Sequence, residues 1–233
     1  MEQARFDINP HIIRQLGAEL ISDQVTALLE LIKNSYDADA NYVKIKINTK
    51  GKCDVEDLYN KNHIGYISVE DDGFGMDKET LLKSWLTISY SNKRAVNGNK
   101  PKTPLGRTPL GDKGLGRLST QRLANCCEIY TKKKELEAFH VGFKWSDFDK
   151  VERLGEVNVI FDSADINAPC GTRMYLLDLI DKDCWQGQSL EKLKGSLCQI
   201  IAPYEKLRPF KIYLYLNDEF IDINKEINRT TRF

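Results

Sequence analysis

Apolar residues in the first part of the chain recur at helical spacing. Val25, Leu28, Leu29, Ile32 and Tyr36 share one side of a helix predicted over Asp23 to Tyr36, with Asp23 placed to cap its start. An earlier helix is predicted over about Pro10 to Leu20, with Pro10 suited to its first turn. The period then changes to two. Tyr42 to Ile47 alternates apolar residues with lysine, the pattern of a half-buried strand, and Tyr66 to Val69 is a second strand running straight into an acidic glycine turn. Asp77 to Ile88 is predicted helical, opened by Asp77 as cap. From Tyr90 to Leu110 the chain is too polar and too broken by proline and glycine for a packed element. Loops of that length inside a compact domain are usually functional lids or disordered.

Helical character resumes from Leu115 to Ala124, so a glycine loop feeds a helix N-terminus, and Arg117 reads as a surface residue of that helix. Strands are predicted at about Glu128 to Thr131, Ala138 to Trp145, Val157 to Phe161 and Thr172 to Leu177. A late helix follows over Leu190 to Ile201, and a last strand over Phe210 to Leu216 before the Asn217-Asp218 turn. Helices gathered early and strands mostly late predict an α+β fold, a two-layer sandwich whose mixed, mostly antiparallel sheet carries its helices on one face.

Composition narrows the classes. A chain of 233 residues that is 41% hydrophobic supports one substantial core, so residues 1–233 read as a single domain. Lysine plus arginine equals aspartate plus glutamate at 34 each, so no global field draws the chain to nucleic acid or to an anionic membrane. No run of about 20 apolar residues is present, which excludes a membrane-spanning helix. The six cysteines form no C-x-x-C pair, and the three histidines lie far apart in sequence. That spacing argues against a zinc site or a disulfide framework and for reduced thiols in the cytoplasm.

Three segments carry candidate chemistry: Glu30-Leu31-Ile32-Lys33-Asn34-Ser35-Tyr36-Asp37-Ala38, Asp71-Asp72-Gly73-Phe74-Gly75-Met76, and Gly111-Asp112-Lys113-Gly114-Leu115-Gly116. On the first, Glu30, Asn34 and Asp37 fall on one helical stripe, roughly opposite the apolar one. Such a stripe is ordinarily just a wet face; the other two segments change the weighing. Mg2+ takes one or two protein oxygens plus phosphate oxygens, so the Asn34 amide suffices as a ligand, and Glu30 is placed to deprotonate an attacking water. Asp71 ends a strand, and its carboxylate only accepts hydrogen bonds. It therefore suits the exocyclic amine of adenine and repels the carbonyl oxygen of guanine. Gly73 and Gly75 would let the backbone approach a flat base, and Met76 either packs in the core or touches the base. The alternative of a calcium loop fails because Leu82 stands where the closing glutamate would be. The run Gly106-Arg107-Thr108-Pro109-Leu110-Gly111-Asp112 places aspartate where a P-loop needs lysine, and the third segment lacks the glycine order of a dinucleotide fold, but free amides at a helix N-terminus form an anion site, to which Lys113 could add charge.

In this order and spacing, E-L-I-K-N-S-Y-D-A, D-D-G-F-G-M and G-D-K-G-L-G resemble the motifs of the GHKL ATPases. These include gyrase B subunits, ninety-kilodalton heat-shock chaperones, histidine kinases and MutL proteins, with the microrchidia ATPases alongside. The likeness covers roughly residues 10 to 180, and the wording of the glycine segment is nearest to prokaryotic relatives of the microrchidia group. It implies a Bergerat fold with ATP held between helices and a mobile lid, here about residues 90–110. Carried over by motif position, Glu30 is the general base, Asn34 the magnesium ligand, Asp37 a neighbour of the nucleotide and Asp71 the adenine anchor. Gly111, Lys113, Gly114, Leu115 and Gly116 wrap the phosphates. Gly171-Thr172 matches the last motif, in which the threonine helps bind the base, and Ser91-Asn92-Lys93 makes Lys93 a lid contact to phosphate.

The resemblance implies ATP and Mg2+ as ligands, hydrolysis of ATP, and lid ordering that favours a homodimer. A histidine kinase needs a phosphoacceptor histidine on a preceding hairpin, and only His11 precedes Glu30. Many members hydrolyse only when a following domain lends a lysine, so the chain reads as the N-terminal part of a longer protein, with slow turnover by itself. The other reading is a nucleotide-sensing interaction module in which hydrolysis is incidental.

Overall fold

A computed structural model describes residues 8–55, 58–59, 62–87, 101–111, 116–204 and 210–223. Two helices open the chain, α1 (His11–Leu20) and α2 (Gln24–Asp37). The Asp23 carboxylate accepts from the Thr26 amide at 2.9 Å, satisfying one of the orphan donors of the first turn of α2. Helix α2 buries Val25, Ala27, Leu28, Leu31, Ile32 and Tyr36. It ends at Ala38, after which Asp39 adopts left-handed backbone with φ 58°.

The strands are β1 (Tyr42–Lys52), β2 (Ile64–Asp71), β3 (Ala124–Lys132), β4 (Ala138–Lys144), β5 (Ile160–Ala164), β6 (Gly171–Leu179), β7 (Lys211–Leu216) and β8 (Glu219–Ile221). They form one sheet in the order β5-β4-β3-β6-β2-β1-β7-β8. Every neighbouring pair is antiparallel except β1 with β7. This is the mixed, mostly antiparallel sheet that the pattern predicts. The β7–β8 hairpin turns through Asn217 and Asp218, both at positive φ (48° and 67°), as a two-residue hairpin requires.

Two predicted helices come out shorter. Asp77 caps α3 (Lys78–Thr80) by accepting from the Thr80 amide at 2.8 Å, and Leu81–Leu86 then winds on as a π-helix. The helix expected from Leu115 is a 3₁₀ turn, Gly116–Ser119, followed by one α turn, α4 (Thr120–Leu123), before β3 begins at Ala124. Helix α5 (Gly187–Tyr204) completes the helical layer.

Strand alternation sends two apolar sets to opposite faces of the sheet. Toward α2 and α5, Ile45, Ile47, Ile67, Cys127, Ile129 and Leu176 meet Leu28, Ile32, Leu193 and Leu197 in the main core. On the other face a smaller cluster gathers Cys53, Leu58, Tyr66, Cys126, Tyr130 and Leu177. That face also buries Glu128 and His140, joined at 2.8 Å, with the Tyr130 ring stacked on the imidazole at 4.3 Å. All six cysteines are free thiols. Among the described residues no helix is long and apolar enough to cross a membrane.

Candidate nucleotide site

Asp71 is the last residue of β2 and sits beside the C-terminal half of α2. Its Oδ2 accepts from the Ser35 hydroxyl at 2.8 Å and its Oδ1 from the Gly73 amide at 3.0 Å. Burial lifts this carboxyl to about 6, and the hydrogen bonds from Ser35, Gly73 and the Thr172 backbone hold it from rising further. Across the β2–β6 ladder Asp71 faces Thr172, and across β3–β6 Thr172 faces Thr131. Their hydroxyls lie 3.1 Å apart. Thr131, fully buried, also accepts from the Met76 amide at 2.9 Å and donates to the Gly171 carbonyl at 3.2 Å. Sequence reasoning overlooks Thr131, because its only signal is its place in the β3 alternation.

Seven residues before Asp37, Glu30 is half-buried and paired to Lys33 Nζ at 2.6 Å. Asn34, the next polar position on the stripe, is exposed. The two described glycines of the third segment converge on it. A Cβ built on Gly116 would lie 2.9 Å from Asn34 Nδ2, and one on Gly111 would lie 4.0 Å from Asn34 Oδ1. Gly116 is thus packed against the Asn34 amide, and a larger residue at 116 would collide with that amide. Lys93, Lys113, Gly114 and Leu115 lie outside the described residues.

Asp37 does not reach outward. It is buried, and its two oxygens accept from the amides of Leu110 (2.7 Å) and Gly111 (3.1 Å), so it fixes the entry to the glycine segment. Two residues on, Asp39 accepts from the Thr103 hydroxyl at 2.6 Å and the Leu105 amide at 2.9 Å. Arg107 completes this latch. Its guanidinium donates to the carbonyls of Tyr36 (3.0 Å) and Ala40 (2.8 Å), lies 3.8 Å from the Asp39 carboxylate, and stacks over the Tyr36 ring at 4.5 Å. Residues 101–111 contain no helix or strand, as predicted, yet they are docked against the end of α2. Arg117 departs from expectation. It is buried rather than at the surface, and it donates to the carbonyls of Trp85 (2.5 Å) and Thr87 (2.6 Å).

Gly73 and Gly75 serve the protein's own backbone. A Cβ on Gly73 would sit 2.7 Å from the Ala38 carbonyl oxygen. Gly75 has φ 63°, and a Cβ there would overlap the Lys132 carbonyl on β3. Close approach is what demands glycine, but the partners are α2 and β3. Met76 is half-buried and packs against the main core.

Residues 22–166 match the family described as histidine kinase-, DNA gyrase B-, and HSP90-like ATPase. The chain belongs to this family. A mitochondrial heat shock protein of 75 kDa from Bos taurus is 28% identical over 148 residues, covering 61% of this chain and 21% of the relative. The DNA mismatch repair protein MutL of Petrotoga mobilis is 27% identical over 174 residues, 74% of this chain and 23% of its own. The chain therefore spans about a fifth of the length of these relatives. The crystal structure of the N-terminal domain of a DNA repair protein superposes with a TM-score of 0.53 over 90% of this chain and 55% of that one, at 17% identity. It shares the fold. Binding and hydrolysis of ATP are the general property of HSP90-like ATPase domains.

Proposed function

We propose that this chain is an ATP-binding module that hydrolyses ATP with Mg2+. The observation that carries the reading is the junction at the C-terminal half of α2. There Ser35 ties the Asp71 carboxylate to the position next to Asn34, and Gly111 and Gly116 border Asn34 from the other side. A purine-recognising acid and a phosphate-wrapping segment thus meet over one helix turn.

In this reading Asp71 accepts from the adenine amine, while Ser35, Gly73 and Thr172 hold its oxygens in place. Thr131 fixes Thr172 and, through the Met76 amide, the turn that follows Asp71. Asn34 is the residue that would hold Mg2+. The ion, when bound, neutralises charge on the phosphates. Asp37, a neighbour of the nucleotide in this reading, also sets the course of the chain at Gly111. Glu30 must leave Lys33 to take a proton from water, so the ion pair restrains the proposed base. Lys93, Lys113, Gly114 and Leu115 are proposed phosphate contacts on motif position alone.

Thr103, Leu105 and Arg107 are fastened to the end of α2; the rest of the lid expected over about 90–110 lies mostly outside the described residues, and its ordering on nucleotide, favouring pairing of two copies, is part of the proposal. A cytoplasmic setting fits the six free thiols. The reading is tested by calorimetric titration with ATP and GTP, with and without Mg2+, on the wild type and on Asp71→Asn. ATP is expected to bind tightly, GTP weakly, and the variant to lose the difference. Equal binding of GTP by the wild type would remove the adenine assignment.

A further inference from the structure

On the face of the sheet turned away from α2, three side chains that sequence spacing separates come together. Cys126 on β3, Asp178 on β6 and His63, just before β2, present a sulfur, a carboxylate oxygen and an imidazole nitrogen, all within 4.8 Å of one another. Cys126 is 1% exposed, whereas the side chains of His63 and Asp178 are 35% and 45% exposed. The set is closed toward the protein and open toward solvent.

The distance between His63 Nδ1 and Asp178 Oδ1 is informative. At 3.6 Å it is too long for a hydrogen bond. It equals the edge of a tetrahedron around Zn2+, about 3.3–3.7 Å for metal–donor bonds near 2.0–2.3 Å. The thiol then needs to close by only about an ångström. The outer contacts point the same way. Asn125 Nδ2 donates to Asp178 Oδ2 at 3.1 Å, leaving Oδ1 directed to His63, and Asn125 Oδ1 is itself held by the Ser146 amide at 2.9 Å. Ligating carboxylates are characteristically oriented in this way by a second partner. Asp178 has φ 59°, and it faces Asn125 where β3 and β6 both break alternation: Ala124 and Leu179 join the main core, while Cys126 and Leu177 join the opposite cluster.

We propose that His63, Cys126 and Asp178 form a binding site for a zinc-type divalent transition metal, with water or an external ligand in the fourth position. Thiolate, imidazole and carboxylate together select Zn2+ over Mg2+, which prefers oxygen alone. Bound metal would cross-link the segment before β2 to β3 and β6. The site is separate from the proposed nucleotide pocket and does not depend on it.

The test is a titration of the reduced, chelator-stripped 233-residue chain with Co2+ as a spectroscopic probe. One equivalent is expected to bind, giving tetrahedral ligand-field bands and a thiolate-to-cobalt charge-transfer band. Zn2+ should abolish both bands, and excess Mg2+ neither. Cys126→Ser should lose the charge-transfer band, Cys53→Ser should keep it, and His63→Gln and Asp178→Asn should each weaken binding at least about tenfold. Failure of the wild type to bind Co2+ and Zn2+ below millimolar concentrations would overturn the proposal. So would a charge-transfer band that survives Cys126→Ser. If Cys126→Ser does not fold, the two exposed variants decide: undiminished binding in both would end it.

Discussion

Ser35 and Asp71, 36 residues apart in sequence, are joined by a hydrogen bond of 2.8 Å that fixes the end of β2 to α2 one position from Asn34. Oδ1 and Oδ2 of Asp71 both face donors, so the carboxylate cannot be replaced by an amide without penalty. In Asp71→Asn the NH2 group either opposes the Gly73 amide or forces the Ser35 hydroxyl to turn. In the proposed reading the ionised acceptor for the adenine amine is lost as well. A hydrogen bond to a charged group contributes about 1.5–3 kcal/mol, so ATP affinity is expected to fall by about 10- to 150-fold in calorimetry.

The pH dependence of Asp71 runs opposite to that of a salt-bridged carboxylate. Unfolded, it titrates near 3.8, and in the fold near 6. Between those values the folded chain keeps a proton that the unfolded chain has released. Its contribution to stability is therefore complete below pH ~4 and is lost as pH rises through about 6. Denaturant unfolding should show the wild type losing stability relative to Asp71→Asn across that window. If Asp71 accepts from adenine as proposed, ATP binding needs the ionised form and should strengthen over the same range. A wild type that gains on the variant instead would contradict this environment for Asp71.

Substitutions at Glu30 and Lys33 test the proposed base separately from binding. Glu30→Gln keeps the shape of the side chain but removes its basicity. ATP turnover should drop by about 10²- to 10⁴-fold, with affinity for ATP retained. Lys33→Met frees the carboxylate, and single-turnover rates should not fall. Loss of turnover in Lys33→Met would show that the lysine itself is needed.

For Asn34→Ala, binding measured with Mg2+ should weaken, and binding measured in chelator should stay as in the wild type. A parallel loss in both conditions would mean that the amide supports the fold or the phosphates rather than the ion.

The latch on residues 101–111 can be dissected at Asp39. Alanine at that position removes acceptors from Thr103 and Leu105 and also pays for left-handed backbone, at a combined cost of about 3 kcal/mol. Asparagine tolerates the same φ and retains one acceptor, so Asp39→Asn should cost about 1 kcal/mol. Thermal unfolding ranks the two, and hydrogen exchange at the Leu105 and Arg107 amides reports whether the segment has come loose.

Helix α2 and the order of the three motifs were legible because periodicity and glycine placement are local signals. What escaped were partnerships across the chain. Arg107 lies in a polar, proline-rich stretch that reads as solvated loop, and nothing nearby in sequence reveals Tyr36 beneath its guanidinium. Arg117 follows a glycine segment and looks like a surface cation, yet it serves the carbonyls of Trp85 and Thr87. The glycines at 73 and 75 were identified as close-approach positions, but whether a base or the protein's own backbone approaches is decided by the tertiary fold. The histidine and cysteine spacing argued against a zinc site for the same reason. His63, Cys126 and Asp178 become neighbours only once β2, β6 and β3 lie side by side.

Asp37 and Asp39, two residues apart, hold Leu110 and Gly111 at one end of a stretch of chain and Thr103 and Leu105 at the other. A tilt of the last turn of α2 would therefore carry that stretch with it, and the border of Asn34 would travel with the helix that bears it.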